Sequence, residues 1–240
     1  MGQGVYLTSR VLRNYFTNYS NLTHRFNHIQ TAQMKKSKSS HEWLKNHQND
    51  EFVKRAREDG YRSRASYKLL EINEKYGLMR PGQCVVDLGA APGGWCQVAA
   101  KAVGEKGKIV GIDLLDMPPI DGVDFIQGDF TEDGPYQLLI DRLENRPVDL
   151  VLSDMAPNLS GMKQMDLPKS AYLVELAIDL CDQVLRKNGA FATKCFEGEG
   201  IEEIRRAFRV RFGRVMNFKP KSSSSKSREV YVVGMAYKGG

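Results

Sequence analysis

No stretch of this chain approaches the roughly 20 consecutive apolar residues that a membrane-spanning helix requires, so a helical anchor is excluded. Cysteine is scarce. Cys84, Cys96, Cys181 and Cys195 include no CxxC pair and have no histidine-rich surroundings. That spacing speaks against structural zinc and against a disulfide framework, and it suits a reducing compartment. Acidic residues are missing from one end. Between Met1 and Gln33 there is no Asp or Glu, while Arg10, Arg13 and Arg25 lie among Asn, Thr, Ser and Tyr. Three readings fit this leader: an organelle transit peptide, a disordered basic arm, or sequence upstream of a natural start at Met34. We expect the last, and with it a cytoplasmic protein; a transit peptide would make it mitochondrial. A myristoylation signal is excluded, because Tyr6 stands where MGxxx[ST] demands a hydroxyl.

What is present is a chain of 240 residues, enough for one sizeable α/β domain with its own core and an appendage. The formal net charge of +6 suits a polyanionic partner, though it says nothing about fold. No internal repeat is visible. The organisation reads as an extension over 1–33, a basic helical segment over 34–80, and a sheet domain over 81–240.

In the helical segment Ser39 precedes Glu42 by a capping-box spacing and opens a short helix. Asp50 can cap a second, "EFVKRARED", which Gly60 ends. "SRASYKLLEINEKY" places Ala65, Leu69, Ile72 and Tyr76 on one helical stripe. Lys68 borders that stripe, able to touch a core and still reach a cleft.

After Pro81-Gly82 short apolar strands alternate with helices: "CVVDLG", "KIVGIDL", "VDFIQGD", "VDLVLSD", "GAFATKCF", "GRVMNF" and "EVYVVGM". "SAYLVELAIDLCDQVLRKNG" reads as an amphipathic helix closed by Gly189. Nearly all-apolar strands separated by helices predict a parallel sheet covered on both faces. The last two strands leave no room for a long helix between them, so "EVYVVGM" is expected to run antiparallel. The intervening "KPKSSSSKSRE" predicts a mobile, phosphate-compatible loop.

The stretch "VVDLGAAPGGW" is a strand, a glycine-rich turn and a helix start, a plan shared by dinucleotide and S-adenosylmethionine sites. It is not GxGxxG, since Ala91 replaces the second glycine, which disfavours a pyrophosphate cradle. Asp113 ends the next strand where a ribose would present its hydroxyls, and Asp129 ends the third where an adenine amino group would lie. These aspartates, with Asp87, can also be ordinary turn or cap residues. Asp154 ends the fourth strand. Lys194 sits in an apolar fifth strand, where a lysine must snorkel or find a charged partner. Glu229 opens the last strand.

Together "VVDLGAAPGGW", "GIDLLDM", "FIQGDF", "SDMAPNLSG", "YLVELAIDLC", "KCFEGEG" and "SREVY" resemble the FtsJ/RrmJ family, in the same order from about Lys35 to Lys238. Residues 1–33 lie outside the resemblance. It implies a Rossmann-like class I S-adenosylmethionine-dependent methyltransferase with a seven-stranded, mostly parallel sheet and an antiparallel last strand. It further implies methylation of a uridine ribose 2′-hydroxyl in ribosomal RNA on the assembled 50S subunit. The methyl donor would be held at Gly93, Trp95, Asp113, Asp129 and Asp154, with no metal. A catalytic Lys-Asp-Lys-Glu set would fall on Lys68, Asp154, Lys194 and Glu229. Cys195 and Glu197 stand where relatives often carry Val and Gln, outside that set.

A ribose hydroxyl is a weak nucleophile, so positioning and help in losing its proton are what an enzyme can supply. Lys194 is the expected base, or in a softer version only a hydrogen-bonding partner of the oxygen. As a base it must be uncharged; a neighbouring Lys68 favours that state and Asp154 opposes it. Phosphate contacts are expected from Lys35, Lys36, Lys38, Arg55, Arg57, Arg62, Arg64 and the Lys219–Arg228 loop, on a monomer. Other classes stay open: transfer-RNA or cap methylation, an NAD-dependent oxidoreductase, or an idle RNA-binding module.

Overall fold

A computed structural model describes residues 51–157, 162–224 and 227–239. The 1–33 extension, Lys35, Lys36, Lys38, the helix expected at Ser39 and the Asp50 cap lie outside the described residues. Among the described residues no helix is long and apolar enough to cross a membrane.

Helix α1 (Glu51–Glu58) buries Val53 and Ala56 and is followed by Gly60 in the left-handed region. Helix α2 (Ala65–Tyr76) carries the predicted stripe: Leu69 and Ile72 are fully buried. Gly77, at φ 61°, stops it by returning its N–H to the Asn73 carbonyl at 2.8 Å. A residue with a Cβ resists that conformation, so the glycine sets the helix end.

The remaining elements alternate. They are β1 (Cys84–Leu88), α3 (Gly94–Val103), β2 (Lys108–Asp113), β3 (Val123–Gln127), α4 (Asp133–Arg142) and β4 (Val148–Ser153), then α5 (Lys163–Val184), β5 (Leu185–Phe196), α6 (Ile201–Arg211), β6 (Phe212–Phe218) and β7 (Glu229–Tyr237). They form one seven-stranded sheet of order β3-β2-β1-β4-β5-β7-β6. Strands β1 to β5 pair in parallel, while β7 is antiparallel to β5 and β6, as the short connection predicts. The order runs outward from β1 in one direction and from β4 in the other. That reversal opens a crevice at the carboxyl ends of β1 and β4, where ligands of open α/β sheets bind.

Two cores cover the faces. One gathers Leu69 and Ile72 of α2, Trp95 and Val98 of α3, and Tyr231 and Val233 of β7. The other gathers Leu139 of α4, Ile178 and Cys181 of α5, Phe208 of α6, and Val230 and Val232 of β7. Alternation along β7 therefore points Glu229 and Tyr231 toward the α2 side. All four cysteines are free and buried.

Two expectations are corrected. Gly189 does not close α5; the helix ends at Val184, and β5 starts at Leu185. Leu185 pairs with Val148 and Ala190 with Leu150, so Arg186–Gly189 bulge opposite Asp149. Asn188 at φ 66° makes that bend, and a Cβ at Gly189 would lie 2.8 Å from the Arg186 carbonyl. A turn signal thus marks a bulge inside a strand. The loop after β6 is also less free than its composition predicts. Ser222 is 1 % exposed, and the Lys221 and Ser222 amides donate to the Glu71 carboxylate of α2 at 2.7 and 2.9 Å.

Candidate active site

The glycine turn after β1 is built by close backbone approaches. Gly89 has φ 79°, and a Cβ there would sit 2.9 Å from the Met155 amide. Only glycine allows the turn and the strand-β4 exit to touch at this point. Gly93, at φ 107°, precedes α3 and faces Met117 and Ile120. The first α3 helical bond runs from Gln97 N–H to the Gly93 carbonyl at 2.9 Å. The amides of Gly94, Trp95 and Cys96 therefore lack acceptors within the helix.

Arg62 locks this region. Its guanidinium donates to the carbonyls of Pro118 at 2.6 Å and Pro119 at 2.8 Å, with a longer 3.4 Å contact to Pro92, and its own amide donates to Gln97 Oε1 at 2.8 Å. The sequence reading assigns Arg62 to phosphate contact; these bonds direct it to internal carbonyls. Trp95 is buried at 3 % exposure, and its indole N–H donates to the Ala65 carbonyl at 2.8 Å, so only its backbone faces the turn. Ser66 Oγ donates to the Gly94 carbonyl at 3.1 Å. Ser63 Oγ is buried beside Gly94 with no partner, an orphan that reading missed.

The carboxylates divide their work. Asp113 accepts from the Ala91 amide at 2.9 Å and the Leu115 amide at 2.8 Å. Asp129 Oδ1 accepts from both the amide and the hydroxyl of Thr131, leaving Oδ2 outside that turn. Both therefore act as turn residues while keeping acceptor capacity. Asp87 is fully buried under the turn, with Cys96 Sγ 3.1 Å from Oδ2 and no partner at Oδ1. Burial, with Asp154 and Asp113 adding negative charge nearby, pushes Asp87 up to about 7 despite the Cys96 bond.

The second half lies at the ends of β4, β5 and β7. Lys194 is 8 % exposed; its amine lies 3.2 Å from Asp154 Oδ1 and donates to the Asp154 carbonyl. Lys68, also 8 % exposed, pairs with Glu229 Oε1 at 2.7 Å. Tyr231 joins the two pairs. Its hydroxyl donates to Asp154 Oδ1 at 2.7 Å, and its ring lies 6.0 Å from the Lys68 amine and 5.7 Å from the Trp95 ring. Burial first, then the Asp154 and Glu229 carboxylates, hold the Tyr231 phenol well above its usual range, so it stays a donor. Ser223 Oγ donates to Glu229 Oε1 at 2.8 Å. The family resemblance, not the residues read singly, grouped Lys68, Asp154, Lys194 and Glu229, and neither reading named Tyr231 or Ser223. The "SREVY" pattern contained the first, and alternation from Glu229 to Tyr231 was the available signal.

Of the expected basic contacts, Arg55 is 60 % exposed in its side chain, lies 3.5 Å from Asp59 and covers the Tyr67 ring at 5.0 Å. Arg57 is exposed, Arg64 occupies the position that precedes α2, and the Lys219 amine donates to the Ser227 carbonyl at 2.6 Å.

The FtsJ-like methyltransferase family matches residues 61–237. The ribosomal RNA large subunit methyltransferase E of Hahella chejuensis is 54% identical over 206 residues, covering 86% of this chain and 100% of that protein. The protein of that name from Alkalilimnicola ehrlichii is 53% identical over 203 residues, covering 85% and 97%. Among solved structures, a Plasmodium falciparum protein described as a ribosomal RNA methyltransferase superposes with a TM-score of 0.66 at 33% identity, over 75% of this chain and 100% of that one. A glycine-rich turn and two ammonium–carboxylate pairs thus stand at the carboxyl ends of one seven-stranded sheet, and the matched residues contain both. The chain belongs to the FtsJ-like methyltransferase family.

Proposed function

We propose that this protein methylates the 2′-hydroxyl of a uridine ribose in large-subunit ribosomal RNA, acting as a monomer on the assembled subunit in the cytoplasm. The observation that carries the reading is the union, through Tyr231, of the Lys194–Asp154 and Lys68–Glu229 pairs at the crevice mouth.

The residues under the turn fit S-adenosylmethionine. The orphan Ser63 hydroxyl and the first α3 amides suit a carboxylate, Asp113 suits ribose hydroxyls, and Asp129 Oδ2 suits an amino group. Gly93, Trp95 (through its backbone) and Asp154 complete the donor side. When bound, that donor supplies a methyl group on a sulfonium sulfur, open to in-line attack.

The chain's own residues do the rest. A neutral Lys194 amine has two N–H bonds and one lone pair. The Asp154 carbonyl and carboxylate take the two N–H bonds. The lone pair then occupies the remaining direction, toward an acceptor oxygen in the crevice, where it takes the hydroxyl proton as the methyl group arrives. Glu229, 2.7 Å from the Lys68 amine, keeps that ammonium in place as the second pair of the set. In the milder version Lys194 keeps its proton and donates the third N–H to the oxygen. Arg55, Arg57, Arg64 and the Lys219–Arg228 loop, with Lys35, Lys36 and Lys38, supply phosphate contacts that position the strand without reading it.

The test is methyl transfer from labelled S-adenosylmethionine to ribosomal subunits from cells lacking this gene. We expect 2′-O-methyluridine at one position in large subunits and none in free transfer RNA or capped RNA. Label in either of the latter, or none in the large subunit, overturns the reading.

A further inference from the structure

We infer that Glu71 is a positioning residue for methyl transfer, working through the loop that follows β6; the inference rests on the catalytic set proposed above. Glu71 and Lys68 stand one turn apart on α2 and share a face. Glu71 grips the loop with both carboxylate oxygens: Oε2 accepts the Lys221 amide at 2.7 Å and Oε1 the Ser222 amide at 2.9 Å. The next residue, Ser223, donates its hydroxyl to Glu229 Oε1 at 2.8 Å. That same oxygen lies 2.7 Å from the Lys68 amine. The contacts close a ring, running from Lys68 along α2 to Glu71, across to 221–223, and back through Glu229.

The ring has a physical consequence. Glu229 is the first residue of β7, and a strand-start carboxylate has a free choice of rotamers unless its oxygens are held. Lys68 holds it by an ion pair between two flexible side chains, and the Tyr231 hydroxyl lies against the same carboxylate. Ser223 adds a directional bond to the same oxygen; its own amide donates to the Pro220 carbonyl at 3.1 Å, and it directly follows the two consecutive loop amides bound to α2. Ser222, 1 % exposed, and Ser223, 9 % exposed, are seated against the protein. Loss of Glu71 therefore frees the loop, removes the Ser223 bond and lets the Lys68–Glu229 pair drift. Lys68 belongs to the same proposed catalytic set as Lys194, so turnover falls, while Gly93, Asp113 and Asp129 of the proposed donor pocket lie outside the ring and keep their contacts.

Turnover on large subunits from the gene-deficient strain tests this in the full chain, with S-adenosylhomocysteine as the calorimetric probe of the donor pocket. We expect Glu71→Ala to lower kcat by about ten- to a hundredfold and leave the probe's Kd within about twofold. Glu71→Gln, which keeps one acceptor oxygen, restores part of the loss. Ser223→Ala lowers kcat as well, and the double variant is no slower than Glu71→Ala, because both act through one path. A normal kcat per folded molecule in Glu71→Ala, or additive losses in the double variant, overturns the inference. Glu229→Ala separates the two levels. If it is slow while Glu71→Ala is normal, only the inference fails; if it too is normal, the catalytic set fails and the inference with it.

Discussion

The hydroxyl of Tyr231 donates to Asp154 Oδ1 at 2.7 Å, the same oxygen that lies 3.2 Å from the Lys194 amine. One carboxylate oxygen thus serves two donors, and the phenol decides how firmly Asp154 faces the lysine. Tyr231→Phe keeps the ring against Trp95 but removes that bond. We predict a fall in kcat of about fivefold, equal to one hydrogen bond of about 1 kcal/mol, with an unchanged donor Kd. Single-turnover kinetics beside donor titration will show it.

Asp87 predicts a pH dependence of its own. The folded chain holds this proton up to about pH 7, whereas the unfolded chain releases it near the ordinary carboxylate value. Between those values the fold binds more protons, so stability falls as pH rises from about 4 to about 7. Asp87→Asn should flatten that slope and exceed the parent in stability at pH 8, with no advantage at pH 4. Urea unfolding at the two pH values measures it. A sulfonium donor nearby favours the ionised acid, so parent donor affinity should also strengthen through pH 7.

Gly89→Ala meets two obstacles. Its φ of 79° is a left-handed conformation, and the new Cβ would lie 2.9 Å from the Met155 amide, which is backbone and cannot swing aside. We predict a loss of at least about 2 kcal/mol, a drop of roughly 4–8 °C in Tm, together with weaker donor binding.

Arg62 and Arg64 separate two roles that look alike in sequence. Arg62→Ala removes the guanidinium bonds to Pro118 and Pro119, so it should raise the donor Kd about tenfold, the worth of one to two such bonds, and leave the salt dependence of RNA binding intact. Arg64→Ala should leave the donor Kd intact and lower the salt slope by about one. Equal slopes for parent and Arg64→Ala would remove Arg64 from the RNA contacts.

Much of this molecule is legible in its sequence because its strands are short, apolar and punctuated. The β7 reversal follows from a connection too short for a helix, and Lys194 declares itself as a charge inside an apolar strand. What escapes is set by contacts distant in sequence. Ser63 matters because Gly94 packs on it, and Glu71 because a loop 150 residues later lands on it. Asp113 and Asp129 prove to be turn residues, with Asp129 Oδ2 left outside its turn, so a turn role does not exclude the donor contact proposed for them. Gly189 reads as a helix end because a bulge and a cap use the same kind of residue, and Asn188 at φ 66° is what reveals the bulge.

The most direct test is Lys194→Ala, assayed for ribose methylation of large subunits with donor binding measured on the same preparation. We predict a loss of about two to four orders of magnitude in kcat with donor Kd unchanged. Near-normal turnover with the donor bound would contradict it.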